Sequence, residues 1–208
     1  MLDTVDALLP LSLLEAVRDV DTPGDLENEF VDELRNKRLG LSDTVYLQIK
    51  RYADAVRKGQ RTGQDESAGL ARLIGRRPDA DAVFRAAGRY LARAAYQTIN
   101  PVTRRMLRML PSVLARPVAL RRSRSIAIRY ANGSVRRVGG YVLLDVPQSV
   151  TLNTAPGSIG CAFYESMLRE LLRLLIGSVG SVDHVRCAAR GEGTCEWRAD
   201  WKTFEANA

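Results

Sequence analysis

The chain has 208 residues, 46 % hydrophobic and 26 % charged, which allows one sizeable core and excludes a low-complexity or disordered composition. Its net charge is +7, and no stretch approaches the roughly 18 to 20 uninterrupted apolar residues of a membrane span. Three cysteines, an odd number, behind an N-terminus that is acidic where a secretory leader would be basic, argue against a disulfide framework and for free thiols or a metal site in a cytoplasmic protein.

Residues 1–65 read as a helical extension that precedes a main domain over 66–204. Ser42 is positioned to cap a helix in which Val45, Ile49, Tyr52 and Val56 recur at helical spacing, and an earlier helix would carry Leu26, Phe30, Val31 and Leu34. Each helix has one apolar stripe, which packs either on the main core or on a second copy in a homodimer. The polar run RKGQRTGQDES, residues 57–67, marks the boundary. A second helical block follows, opening at Pro78-Asp79 and again at Asn100-Pro101 and running through PVTRRMLRMLPSVLA.

Residues 82–144 contain thirteen arginines and no acidic residue, so this segment carries the whole basic excess of the chain. The guanidinium fork suits carboxylates and phosphates. Arg121, Arg122, Arg124, Arg129, Arg136 and Arg137 are therefore candidate anion-binding residues, with pairing to acids of the flanking segments as the alternative. Asn132-Gly133, flanked by β-branched and aromatic residues, predicts a hairpin with strands near 124–131 and 134–146.

In GSIGCAFYESMLRELLRLLIG, Tyr164, Met167, Leu168, Leu171, Leu172 and Leu175 fall on one helical face, and Cys161 continues that stripe into the first turn. SVDHVRCAARG and TCEWRADW then read as two strands joined around Gly191-Glu192-Gly193. The expected fold class is α+β: N-terminal helices, an antiparallel sheet of about four strands from two hairpins, and a long amphipathic helix between them.

A turn centred on Glu192 would set residue 189 opposite Cys195, and Cys187 and Cys195 would be diagonal neighbours on one face. Cys161 is a third thiol within reach, and His184, the only histidine of the chain, completes a Cys3His set of the kind that holds structural zinc. Residues three apart on a regular strand face opposite ways, so His184 and Cys187 share an ion only if a bulge intervenes, and Asp183 is the substitute ligand. Three small buried thiols without a metal are the other reading of the same spacing.

The run CAFYESMLRELLRLLIGSVGSVDHVRCAARGEGTCEWRADW resembles the four-vinyl reductase domain family, a ligand-binding fold related to the small subunits of the TRAPP tethering complex and to the sensor domains of phenol-responsive regulators. The carriers are a cysteine opening a long helix, a strand ending in cysteine, a short glycine turn, and a third cysteine. The resemblance implies a zinc site in which these are Cys161, Cys187 and Cys195, with His184 where the phenol sensors place a glutamate. It also implies an apolar pocket between helices and sheet, for which Tyr141, Phe163 and Tyr164 are the candidate lining residues; Trp197 and Trp201, both in the last hairpin, receive no pocket role. The phenol sensors hold the hydroxyl with a histidine and a tryptophan that this chain does not have to spare, so the branch associated with tetrapyrrole handling in bacteriochlorophyll synthesis fits better. Neither a G-x-G-x-x-G fingerprint nor a Walker motif occurs, and acid–base groups are few, which points to a non-catalytic sensor or carrier of a small apolar or aromatic ligand. A nucleic-acid-binding or protein-interaction module built on residues 82–144 is the alternative.

Overall fold

The computed structural model describes residues 4–22, 39–152, 154, 156–178 and 180–200. The expected helix with Leu26, Phe30, Val31 and Leu34 lies outside them, as does Trp201. Strand β1 (Thr4–Asp6) pairs antiparallel with β2 (Arg61–Gly63), a small sheet that the reading of residues 1–65 as helices and turns did not include. Between the two strands come α1 (Leu8–Asp21) and α2 (Asp43–Arg57). The Ser42 hydroxyl accepts the Val45 N–H at 3.3 Å and so caps α2. Val45, Ile49 and Tyr52 are buried against the chain's own core, so that stripe is satisfied within one molecule.

Helices α3 (Gln64–Gly75) and α4 (Ala80–Gln97) follow. At the start of α5 (Pro101–Met109), the Asn100 side chain accepts the Val102 N–H at 2.8 Å, and Pro101 takes the first helical position, where a missing N–H costs nothing. The helix expected to run on to residue 115 is interrupted at Leu110-Pro111, because proline restricts the residue before it. It restarts as α6 (Ser112–Ala131).

α6 corrects the strand expected over 124–131. Ala119, Ser123, Ile126, Ala127, Tyr130 and Ala131 are all buried, at intervals of four, three, one, three and one, which is helical spacing hidden beneath β-branched composition. Asn132, at φ 49°, is the left-handed residue that ends α6, and the Gly133 N–H donates to the Ala127 carbonyl at 3.1 Å. The hairpin instead turns at Gly139-Gly140, joining β3 (Ser134–Val138) to β4 (Tyr141–Val146).

The long amphipathic helix α7 (Ala162–Ile176) begins after a 3-10 turn at Pro156–Cys161 and ends on Gly177 at φ 64°. The last two strands are β5 (Val182–Arg186) and β6 (Cys195–Asp200), and the main sheet has the antiparallel order β3-β4-β6-β5. Val142, Leu144 and Val146 of β4 stand opposite Ala199, Trp197 and Cys195 of β6, and all six are buried. α7 packs on this face and, on its other side, along α4. One apolar core extends from Val5 of β1 to Ala199 of β6. None of the described helices is long and apolar enough to cross a membrane.

Candidate metal centre

Cys161, His184, Cys187 and Cys195 come together at the N-terminal end of α7, where it meets β5 and β6, with their donor atoms all within 4.8 Å of one another. Each donor arrives by a different device. Cys161 occupies the N-cap position of α7, at the end of the 3-10 turn that leads into the helix. Cys195 opens β6 on its core face, two residues before Trp197.

His184 and Cys187 share the site because β5 is irregular. His184 pairs with Trp197 but Arg186 pairs with Glu196, so Val185 is an extra residue between two registers. The shift turns Arg186 outward and returns Cys187 to the core side. This replaces the expected pairing of residue 189 with Cys195: the ladder ends at Arg186, and a 3-10 turn at Ala188–Arg190 begins the connection. Asp183, the substitute ligand, is exposed and faces Arg198 at 3.4 Å.

The connection is held in shape by its own hydrogen bonds. The Cys187 carbonyl accepts N–H groups from Arg190 at 3.0 Å and Glu192 at 3.2 Å, and the Glu192 carboxylate accepts the Cys187 N–H at 2.5 Å. That backbone donor, ahead of Arg190 and Arg186, holds the Glu192 carboxyl below the usual carboxylate range. Gly191 and Gly193, at φ 80° and 85°, take backbone conformations that side chains resist. The Ala188 N–H points at Cys195 Sγ, 3.4 Å away.

Electrostatically Cys161 and Cys195 are unequal. A hydrogen bond from Cys161, with further help from His184 and the Ala188 N–H, draws the Cys195 thiol well below its ordinary value in spite of burial. The same hydrogen bond, then burial, drives Cys161 upward. The two thiols titrate as a pair, in which Cys195 is the more readily ionised sulfur.

Trp197 and Glu192 have roles that the spacing did not reveal. The His184 ring stacks on Trp197 with centroids 4.7 Å apart and planes 10° from parallel, and Trp197 meets Tyr164 at 5.0 Å. Trp197 lies two residues after Cys195 on the same strand face, which is the signal that would have found it. Phe163, edge-on to Tyr164, completes an aromatic column running from the core to the cluster. Phe163 and Tyr164 are fully enclosed, whereas Tyr141 is 45 % exposed with Arg198 over its ring. A shallow recess of about 360 Å³ lies beside the cluster, with Arg85, Ile159, Cys161, Ala162, His184 and Trp197 in its lining.

Four of the six candidate anion-binding arginines are engaged by other groups of the chain. Arg129 pairs with Asp6 at 3.2 Å and Arg136 with Glu196 at 2.7 Å. Arg124 and Arg137 donate to the carbonyls of Val135 and Gly139. Arg121 and Arg122 project beside Pro117 and Val118 on α6.

The donor set fits a metal ion. A tetrahedron with bonds of about 2.3 Å has edges near 3.8 Å, so four donors already within 4.8 Å need only a small contraction. His184 Nε2 is buried without a hydrogen-bond partner, the state of a nitrogen that a metal or a polar neighbour would satisfy. No family model matches the chain, and no curated protein or solved structure matches it either.

Proposed function

We propose that the chain is a non-catalytic binding protein built around one structural zinc ion held by Cys161, His184, Cys187 and Cys195. The observation that carries this reading is the convergence of three thiols and one imidazole within 4.8 Å. Three sulfurs and one nitrogen in tetrahedral reach are the donor set of zinc rather than of magnesium or calcium, which take oxygen. With all four positions filled by the protein, no site is left for an activated water, so the ion's work is to fasten the start of α7 to the β5–β6 connection. Free thiols of this kind persist in a reducing compartment, which makes the cytoplasm the proposed location.

The ligand of this binding protein is proposed from the resemblance to the four-vinyl reductase domain family: a small apolar or aromatic molecule, with a tetrapyrrole intermediate as the first candidate. The recess beside the cluster offers apolar Ile159 and Ala162 to a small aromatic molecule, while its Arg85 is already paired with Asp81 and Glu165 of the same lining. The competing reading, a nucleic-acid or protein-interaction module based on residues 82–144, is weakened by the engagement of Arg85, Arg93, Arg129 and Arg136 with acidic side chains.

The test is zinc released on thiol modification, measured with a chromogenic chelator on protein purified without a metal-binding tag. We expect about one zinc per chain, abolished by Cys187→Ser and bound more weakly in His184→Ala. A chain that carries no zinc as purified and takes up none when zinc is supplied overturns the reading. For the ligand, saturable quenching of tryptophan fluorescence by a porphyrin dicarboxylate supports a carrier or sensor, and a linear, unsaturable response removes it.

A further inference from the structure

Helix α5 (Pro101–Met109) presents a face that the folded core does not use. Val102, Met106 and Met109, spaced four and three residues apart, share one side of the helix and are 74 %, 44 % and 75 % exposed. Leu107, 3 % exposed, anchors the opposite side to the core. Arg105 is a helical neighbour of both Val102 and Met109, and Arg108 lies one turn beyond Arg105, further round the helix from the apolar stripe. Both arginines are exposed, and among the described residues neither makes an ion pair. Leu114, at the start of α6, adds another exposed apolar side chain at 60 %. The segment 82–144 around them contains no acidic residue at all.

We propose that this face of α5 docks the protein on an anionic lipid surface, with Val102, Met106 and Met109 entering the headgroup boundary and Arg105 and Arg108 reaching the lipid phosphates. This goes beyond the zinc-bound binding protein and does not depend on it.

The chemistry of the face selects this occupant over three others. A second copy would set Arg105 and Arg108 against arginines of the same kind in a two-fold contact, which like charges disfavour. Nucleic acid would engage the guanidinium groups but leave the valine and methionines without a role, and α5 has no aromatic residue on which a base stacks. The apolar stripe is three side chains over about 10 Å of helix, whereas a stable protein interface engages roughly 20–30 residues a side. An anionic bilayer makes a smaller demand: a few apolar side chains at the acyl boundary, joined to basic groups that extend to the phosphates.

The experiment is co-sedimentation of the full chain with vesicles of phosphatidylglycerol mixed with phosphatidylcholine, beside vesicles of phosphatidylcholine alone. The protein is expected to bind the anionic vesicles and not the neutral ones, with binding that falls as salt rises. Arg105→Glu with Arg108→Glu, and separately Met106→Ser with Met109→Ser, should each reduce binding by about tenfold or more. Both substitutions are at exposed positions, and an unchanged thermal midpoint verifies the fold of each variant. No binding to anionic vesicles overturns the proposal, as does equal binding to both vesicle types. Loss in the arginine variant with full binding in the methionine variant also overturns it, since that pattern belongs to a soluble polyanion or an acidic protein.

Discussion

At the scale of single residues, the proposed metal centre rests on groups that would not touch an ion. Glu192 accepts the N–H of Cys187 and fixes the backbone from which that thiol projects. Second-sphere acceptors of this kind are worth about 10- to 100-fold in metal affinity. Glu192→Ala should therefore weaken zinc by about that factor in competition with a chelator of known affinity, while thermal unfolding of the metal-free chain stays the same. Unchanged affinity would show that the connection holds its shape without the carboxylate. The thiol positions were legible from spacing because the three cysteines and the single histidine cluster within a sixth of the chain. Glu192 was not legible as a tether, since a glutamate between two glycines looks like an ordinary polar turn until its carboxylate is seen folded back on Cys187.

At the scale of elements, α4 and α7 pack along each other, and a glycine permits their close approach. A Cβ on Gly88 of α4 would come within 2.2 Å of the Phe163 carbonyl oxygen and of Ser166 Oγ on α7. Gly88→Ala should cost about 2–3 kcal/mol, lowering the thermal midpoint by roughly 5–10 °C. A neutral substitution would mean that the helices separate freely. The same pair is joined by Glu170, buried on α7 and bonded to Arg93 of α4 and Arg173 of its own helix. Arg173 first, and Arg93 after it, hold the Glu170 carboxyl below its ordinary range. A carboxyl lowered in the folded state adds stability that is complete above the ordinary carboxylate range and is lost as pH falls through the folded value. Glu170→Gln should thus cost about 1–2 kcal/mol at neutral pH and flatten the acid limb of the stability curve; an unaltered acid limb would contradict this account.

Elements also show where sequence reasoning met its limit. Asn132-Gly133 carries a strong hairpin signal, yet the same dipeptide suits the left-handed end of a helix, and the choice between the two lies in residues far from it. Burial of Ser123, Ile126, Ala127 and Tyr130 on one side of α6 outweighs the β-branched composition of the segment. The bulge at Val185 was legible only as a condition, because a periodicity of two cannot state where it will be broken. The amphipathic helix α7 was readable in full, since its six apolar positions repeat with a single period.

At the scale of the whole molecule, the core runs from β1 to β6, and the proposed zinc would fasten only its last hairpin to the start of α7. Removing zinc should leave the helical signal nearly intact and lower the thermal midpoint. In hydrogen exchange, amides of residues 182–200 should lose protection before those of α4. Uniform loss across the chain would mean that the ion supports the whole core. The α+β class and the count of four strands were legible from the order of periodic segments, although the strand expected over 124–131 is part of α6 and the first hairpin lies within 134–146. The small β1–β2 sheet was not, because three-residue strands leave no period to read. The most direct test of the central claim is X-ray absorption at the zinc edge on the full chain. Three sulfur neighbours at about 2.3 Å and one nitrogen at about 2.0 Å are expected, with the nitrogen lost in His184→Ala. A shell of oxygen and nitrogen alone, or one that is the same with and without His184, would contradict the Cys3His centre.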